Sequence, residues 1–348
     1  MNEATLVQEA SRVLAARLPA GWKQRIKRLE SRPQGRPDAI LDVTGPDGAK
    51  VRLSVEAKIG LVPRAIVDLK ARLDGYSSDP GLVISPFLSR STRERLRAEK
   101  LNFLDLTGNV RLVLARPGLY VETQGADQDP SPKRQPGRSL RGAKAARIVR
   151  ALCDFPLPLP ISDVAAQAQV DISYASRLVE WLSREALLER RTRGPVQSVD
   201  RAALIRRWAQ DYEVLTSNDA RGYLDPRGLD DLTRGLSEGA IRGRYALTGS
   251  IAANRIAPIA PARLAMLYVD DLESMAVALN LRPTETGANV MLLAPFDDVV
   301  FERTWKDGGL TFVAVSQAAV DLLTSPGRAP SEAEAILERL AEPDVKLR

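Results

Sequence analysis

The pattern of apolar and polar residues divides the chain into regions of different character. Residues 1–124 alternate short apolar runs, such as "AILDVTG" and "GLVISPF", with amphipathic segments of helical period. Strands that alternate with helices predict an α/β domain with a mixed or partly parallel sheet. Residues 213–348 alternate in the same way, in "YALTGSIAA", "ARLAMLYVDD" and "NVMLLAPFDDVVFE", and predict a second α/β domain.

The region between these two domains has a different pattern. Residues 125–142 are rich in Pro, Gly, Ser and charge without an apolar period, which predicts a basic linker. Residues 143–212 predict three helices, a short basic hairpin and a closing helix, an order that resembles the winged helix-turn-helix of many bacterial regulators. Apolar residues occupy the positions at which such a motif packs, namely Val164, Ala165, Val170, Ile172, Ala175, Leu178, Val179 and Leu182.

The opposite face of the third predicted helix carries short hydrogen-bond donors and arginines. In a helix-turn-helix this face enters the major groove, where Arg177 is suited to guanine or to a phosphate. Tyr174 and the serines suit backbone oxygens, and arginines flank the turn Gly194-Pro195 of the predicted wing. The predicted DNA-binding residues are Ser173, Tyr174, Ser176, Arg177, Arg184, Arg190, Arg191 and Arg193, with Lys133, Arg134, Arg138 and Arg141 of the linker as salt-dependent phosphate contacts.

Composition narrows the chemistry that the chain can perform. It has 348 residues, a formal net charge of +6 and no histidine, which excludes Ser-His-Asp triads and histidine-ligated zinc. The single cysteine, Cys153, excludes an internal disulfide and a cysteine-rich zinc site, and its apolar surroundings predict a core residue. No apolar run approaches twenty residues, and the amphipathic N-terminus differs from a signal peptide, so we expect a cytoplasmic, nucleoid-associated protein without a membrane span.

One motif in the N-terminal region points to a different activity. Asp42 lies on one predicted strand, and Glu56 and Lys58 end the next, as in metal-dependent nucleases of the PD-(D/E)xK type. There two carboxylates hold Mg²⁺, which lowers the pKa of an attacking water, and the lysine orients that water. Pro37-Asp38 precedes the same strand. Two interpretations stay open: a nuclease with Asp42 and Glu56 as metal ligands, or a restriction-endonuclease-like scaffold whose metal site has degenerated.

The C-terminal region raises a similar question. Thr248-Gly249-Ser250 followed by Asp270 and Asp271 imitates the glycine-serine loop and paired carboxylates of a nucleotidyltransferase. The gap of about 20 residues between them is longer than that fold usually shows. The favoured interpretation is a helix-capping Gly-Ser and an Asp pair at a strand end.

Several short motifs together resemble a known family. They are Asp105 with Gly108-Asn109, Thr248-Gly249, Gln317 with Asp321-Leu322, and Pro326-Gly327-Arg328. With the winged helix between them, these motifs resemble the type IV antitoxin-like transcriptional regulators of the AbiEi kind. The resemblance implies that the winged helix binds the protein's own promoter and that the C-terminal domain opposes a nucleotidyltransferase-like toxin. Here a long N-terminal domain precedes the winged helix, so an antitoxin and a stand-alone regulator both stay open.

The sequence therefore predicts an α/β multidomain regulator that binds double-stranded DNA in a sequence-specific manner. We expect a homodimer, since one winged helix gives modest specificity and a two-fold DNA site matches a two-fold protein. This hypothesis needs no catalytic residue, metal or cofactor. The alternative is a Mg²⁺-dependent nuclease that its winged helix brings to DNA.

Overall fold

The protein is described by a computed structural model, which covers residues 2–29, 36–77, 79–127, 129–130, 139–190, 194–239 and 243–340. The chain forms two compact units. Unit 1 holds Met1–Pro136 and Arg184–Ala186, and unit 2 holds Gly137–Ser183 and Leu187–Arg348. Each contains a seven-stranded sheet with helices, which confirms a mixed α/β protein. In the parts of the chain that the structure describes, no helix has the length and apolar character that crossing a membrane requires.

Unit 1 is built around one mixed sheet. Its helices and strands are α1 (Glu3–Ala15), β1 (Lys23–Arg28), β2 (Ala39–Thr44), β3 (Lys50–Ala57), a 3₁₀ turn (Pro63–Ala65), α2 (Ile66–Tyr76), β4 (Gly81–Ser85), α3 (Arg90–Ala98), β5 (Asn102–Asp105), β6 (Val110–Leu114) and β7 (Leu119–Thr123). The strands lie in chain order from β1 to β7. The pairs β3–β4 and β4–β5 are parallel, and the other neighbours are antiparallel.

The alternation predicted for these strands places a hydrophobic core on each side of the sheet. On β2, Ala39, Leu41 and Val43 are fully buried, and they pack with Leu6 and Leu14 of α1. The opposite face of the central strands packs against α2 and α3 in a second, smaller core. Neither helix layer covers the face of β1 and β2 that lies opposite α1, since the side chains of β1 on that face are exposed.

Unit 2 begins with the helical region and continues into the second sheet. Its elements are α4 (Ala143–Asp154), α5 (Ile161–Gln167), α6 (Ile172–Arg184), β8 (Leu188–Arg190), β9 (Val196–Val199), α7 (Arg201–Trp208), α8 (Val214–Ser217), β10 (Asp219–Leu224), α9 (Leu229–Ser237), β11 (Tyr245–Thr248), α10 (Gly249–Ile256), β12 (Ala265–Val269), α11 (Leu272–Ala278), β13 (Arg282–Pro283), β14 (Val290–Ala294), a 3₁₀ turn (Asp298–Phe301), β15 (Trp305–Asp307), β16 (Leu310–Phe312), α12 (Val315–Leu323) and α13 (Ala329–Leu340). The large sheet has the order β13-β10-β14-β12-β11-β16-β15.

The helical region folds as three helices followed by an antiparallel hairpin. Strands β8 and β9 pair, and Leu159 forms an isolated bridge to Val196 at the side of the hairpin. The third helix ends at Arg184, before the end of the helical pattern in the sequence. It stops there because residues 188–190 form the first strand of the hairpin. Seven of the eight apolar positions predicted to pack are at least partly buried, whereas Ile172 is 53% exposed.

The helical region and the C-terminal sheet share one hydrophobic core. Buried residues of α4 and α6 belong to the same cluster as residues of β11, β12 and α12. A buried arginine connects the two parts: Arg150 of α4 donates to the carbonyl oxygens of Val299 and Glu302 at 2.9 and 2.7 Å, and to Gln317 Oε1 at 3.2 Å. The helical region therefore packs as part of unit 2.

Candidate functional site

Helix α6 begins at a defined cap. Asp171 Oδ1 accepts hydrogen bonds from the backbone N–H groups of Ser173 and Tyr174 at 2.8 and 3.2 Å. These bonds satisfy two of the donors that a helix start leaves without partners, and they lower the pKa of Asp171. The cap fixes where the helix starts and thereby which side chains occupy its first exposed turn.

The predicted DNA-contact face of α6 is largely exposed. Ser173, Arg177 and Arg184 are exposed and Ser176 is half-buried, while Ala175 and Leu178 face the core. Tyr174 is half-buried and packs against the core, so only part of its side chain faces outward. The structure thus brings Ser173, Ser176 and Arg177 onto one accessible face, at spacings of three and four residues.

Two of the predicted basic residues outside α6 lie within the described residues, Arg190 and Arg141. Arg190 on β8 is only 12% exposed, and its guanidinium lies 4.0 Å from the carboxylate of Glu180. This arginine is therefore directed at the domain itself. Arg141 of the linker is exposed. The others lie outside the described residues, namely Lys133, Arg134, Arg138, Arg191 and Arg193.

The apolar pattern predicts Ile172 as a core residue, whereas the structure exposes it. Its spacing from Ala175, Val179 and Leu182 fits the apolar stripe, which predicts a core position. Ile172 lies in the first turn of α6, beyond the helices that cover the rest of the stripe, and its side chain is exposed. The one sequence signal was Asp171 directly before it, since a cap residue marks the end of the helix and therefore the edge of its packed face.

A second cluster of candidate side chains lies in unit 1. Lys58 Nζ lies 2.5 Å from Glu56 Oε2 and 3.3 Å from Asp38 Oδ2. Asp38 Oδ2 also accepts the backbone N–H of Ala57 at 2.8 Å, and Tyr76 donates its hydroxyl to Glu56 Oε1 at 2.6 Å. Burial, together with the hydrogen bond to Glu56, raises the pKa of Tyr76 to about 12. The side chain of Glu56 is 3% exposed and that of Asp38 13%.

The structure groups Asp38, and not Asp42, with Glu56 and Lys58. Strands β2 and β3 pair Ala39 with Val55, which places Asp38 opposite Glu56, whereas Asp42 pairs with Arg52. Asp42 lies four residues further along the strand, about 13 Å away at the usual rise. Its Oδ1 accepts a hydrogen bond from Arg52 Nε at 3.0 Å on an exposed surface. The structure therefore does not bring Asp42 next to Glu56, as a shared metal ion would require.

The donor set of this cluster is compatible with Mg²⁺. Asp38 and Glu56 present carboxylate oxygens on adjacent strands, and Mg²⁺ is commonly held by one or two carboxylates with the remaining positions filled by water. Within the described residues, no group of three or more Asp, Glu or Cys side chains gathers as a larger metal site. Lys58 lies between the two carboxylates and offsets their charge in the structure.

The candidate nucleotidyltransferase residues of unit 2 have structural partners. Asp270 accepts hydrogen bonds from Arg244 at 2.7 and 3.0 Å, and Asp271 caps α11 by accepting the backbone N–H of Ser274 at 2.6 Å. The hydroxyl of Thr248 is buried and donates to Asp321 Oδ2 at 2.7 Å. Asp270 and Asp271 thus follow the end of β12, as the strand-end interpretation expects, whereas α10 begins at Gly249 without a side-chain cap hydrogen bond.

Several of the motif residues that suggested a family form buried networks, whereas Pro326-Gly327-Arg328 is exposed. Asp105 Oδ1 accepts the backbone N–H groups of Thr107, Gly108 and Asn109, and Gly108 has a φ of +104°, which favours glycine at this turn. Thr248 and Gln317 both donate to Asp321. Comparisons with protein-family models, with curated proteins and with solved structures found no match for the chain. The resemblance to AbiEi regulators thus rests on these motifs alone.

Proposed function

We propose that the protein is a sequence-specific regulator that binds double-stranded DNA through α6. The supporting observation is the accessible face of this helix, on which the exposed Arg177 and Ser173 follow a capped first turn. A helix-turn-helix places the N-terminal residues of such a helix against base edges in the major groove. The net charge of +6 supports association with DNA.

Three exposed side chains of α6 each suit one kind of DNA contact. Arg177 offers paired N–H donors to guanine O6 and N7, and Ser173 offers a hydroxyl to a phosphate. Ile172 offers an apolar surface, which suits the C5 methyl group of thymine. A homodimer on a two-fold site supplies the specificity that one such helix lacks. Autoregulation and a nucleotidyltransferase-like toxin partner are what the AbiEi resemblance adds to this proposal.

Replacement of Arg177 tests the proposal. With DNA from upstream of the protein's own gene, Arg177→Ala is expected to weaken binding about 10- to 100-fold, since a bidentate base contact contributes about 1–3 kcal/mol. The matched control is Arg282→Ala, which removes an exposed arginine of β13 in the same unit. Gel-shift titrations against a scrambled duplex of equal length measure both affinity and specificity.

Two results distinguish recognition of bases by α6 from general electrostatic attraction between the protein and DNA. Equal losses in Arg177→Ala and Arg282→Ala would show that α6 is not the contact. Replacing thymine by uracil in the probe should weaken binding of the wild type and leave binding of Ile172→Ala unchanged, because uracil lacks the methyl group.

The cluster Asp38, Glu56 and Lys58 favours a second candidate function, a Mg²⁺-dependent nuclease. Asp38 and Glu56 would hold the ion, which when bound lowers the pKa of a water and stabilises charge on a phosphate. Lys58 would place its ammonium beside the scissile phosphate and offset its charge. Tyr76 holds Glu56 in position through its hydroxyl.

This candidate predicts metal-dependent cleavage with a defined residue dependence. Supercoiled plasmid with Mg²⁺ or Mn²⁺ should be cut by the wild type and by Asp42→Asn, but not by Glu56→Gln or Asp38→Asn. Calorimetric titration with Mn²⁺ supplies a readout independent of cutting, since Glu56→Gln should lose the binding heat that Asp42→Asn retains. Absence of cutting by the wild type with either ion would leave the cluster as part of a scaffold.

A further inference from the structure

The outer strands of unit 1 carry a row of cations on one face. Directly paired residues of neighbouring antiparallel strands point to the same side of a sheet. The register aligns Arg25 with Asp42 and Arg52 across β1, β2 and β3, and it aligns Lys23 with Thr44 and Lys50. Lys27 lies on the same face, two residues from Arg25.

This face is open. Lys23, Arg25, Lys27, Lys50 and Arg52 are all exposed. Among the described residues, Asp42, which accepts a hydrogen bond from Arg52, is the one acidic side chain that the register of β1, β2 and β3 aligns with these five cations. The other side of the strands packs on α1, and helices α2 and α3 lie over the central strands instead. The result is an exposed sheet face with a strong positive excess.

The row of cations leads toward the carboxylate cluster. Lys27 pairs with Ile40, and Asp38 lies two residues before Ile40 on the same face. Along a strand this step measures about 6.7 Å. Lys58 and the basic strands therefore belong to one continuous side of the sheet.

We propose that this basic face, formed by Lys23, Arg25, Lys27, Lys50 and Arg52, binds the phosphate backbone of double-stranded DNA. It is a contact surface separate from α6 and does not depend on catalysis by the neighbouring cluster. Its chemistry matches phosphates, because lysine and arginine neutralise them and release counterions. Five cations against one carboxylate fit backbone contacts rather than readout of base edges.

The chemistry of the face favours a duplex over other polyanions. Proteins that grip single strands stack bases on aromatic side chains, and the described side chains on this face of β1, β2 and β3 include no aromatic residue. Membrane-surface segments combine cations with exposed apolar anchors, whereas Ile40, the apolar residue in this row, is half-buried.

The salt dependence of binding tests the proposal in the full chain. The variant Lys23→Gln, Arg25→Gln, Lys27→Gln removes three cations from one exposed strand. With a random-sequence duplex, the slope of log affinity against log salt should fall in magnitude by up to about 3, at about 0.9 per phosphate contact. Fluorescence anisotropy at four or more salt concentrations measures it.

The matched control removes the same charge from the other half of the same sheet. Arg95→Gln, Lys100→Gln, Arg116→Gln changes three exposed cations around β5–β7 and should leave the slope unchanged. Equal slopes in the two triple variants would overturn the proposal. So would stronger competition by single-stranded RNA, acidic vesicles or polyglutamate than by duplex DNA at equal charge.

A cross-linking experiment keeps the test decisive if the triple variant folds poorly. Cys153 is the chain's only cysteine and is buried, and burial raises the pKa of its thiol, so an introduced cysteine can be labelled selectively. Thr44→Cys carries a photo-cross-linker into the row of cations, and Arg116→Cys carries it to the far turn. Cross-links to the duplex from Thr44→Cys alone support the proposal, and equal yields contradict it.

The experiments also separate this inference from the proposed regulator function. Arg177→Ala should change discrimination between the upstream and scrambled duplexes, with the salt slope altered by at most about one contact. The triple variant should weaken both duplexes equally. If only one of these two effects is observed, the surface whose predicted effect is absent was wrongly assigned.

Discussion

At the scale of single residues, Asp321 shows how a motif that suggests chemistry serves the fold. It is fully buried and accepts hydrogen bonds from Tyr212, Gln317 and Thr248 at 2.8, 2.8 and 2.7 Å, and from Tyr268 at 3.1 Å. Burial raises its pKa to about 6, although the four donors act in the opposite direction. The pKa values of Tyr212 and Tyr268 are also raised well above the ordinary value by burial.

The raised pKa of Asp321 predicts a pH dependence of stability. The folded protein holds this proton more tightly than the unfolded chain, so the contribution is complete below about pH 4 and is lost as pH rises through about 6. The loss amounts to about 3 kcal/mol at full ionisation. Asp321→Asn cannot titrate, so thermal unfolding of unit 2 in both proteins isolates the effect.

The expected signature is a difference in stability that changes with pH. Between pH 4 and pH 6.5 the wild type should lose stability relative to Asp321→Asn. A constant difference between the two proteins over this range would contradict the assignment of the proton to Asp321.

At the scale of elements, Arg150 determines how α4 packs against the C-terminal part of unit 2. Its Nε lies 2.6 Å from Asp154 on the next turn, and both side chains are buried. Asp154 in turn accepts the hydroxyl of Ser316 on α12. Because each charge has several hydrogen-bond partners, the pair is satisfied without water, and the helical region is held in one orientation on the sheet.

Removal of one partner should destabilise unit 2 strongly. Arg150→Ala removes the cation beside the buried Asp154 carboxylate and one donor from each of two carbonyl oxygens, at an expected cost of about 3–5 kcal/mol. The double variant Arg150→Met, Asp154→Leu removes both charges and should be less destabilised than Arg150→Met alone or Asp154→Leu alone. Urea unfolding of the three variants checks this, and additive losses would show that the two residues act independently.

At the scale of the whole molecule, the two units each carry one candidate surface for DNA. Unit 2 presents α6, which suits base contacts, and unit 1 presents the basic face, which suits the backbone. Two surfaces in one chain raise each other's effective concentration on the same DNA where the geometry permits both to engage. The salt-slope measurement in the triple variant and the specificity measurement in Arg177→Ala therefore report on different parts of one binding process.

The sequence by itself determined the class of the segments with a clear apolar period, and it did not predict the polar strand β1. Helical periods predicted α4, α5 and the start of α6, and alternation predicted β2 and β3, because local periodicity reflects which side of an element faces the core. Composition excluded histidine chemistry outright, and Glu56 with Lys58 two residues later could be selected as a pair because they share one strand face.

Only the tertiary structure decided what depends on partners distant in the chain. Strand register selected Asp38 over Asp42, since a shift along an antiparallel pair changes which residues meet. Packing at a helix end exposed Ile172 and directed Arg190 toward Glu180, which a periodic pattern does not foresee. The network around Asp321 joins residues up to 109 positions apart, and such contacts exist only once the chain has folded.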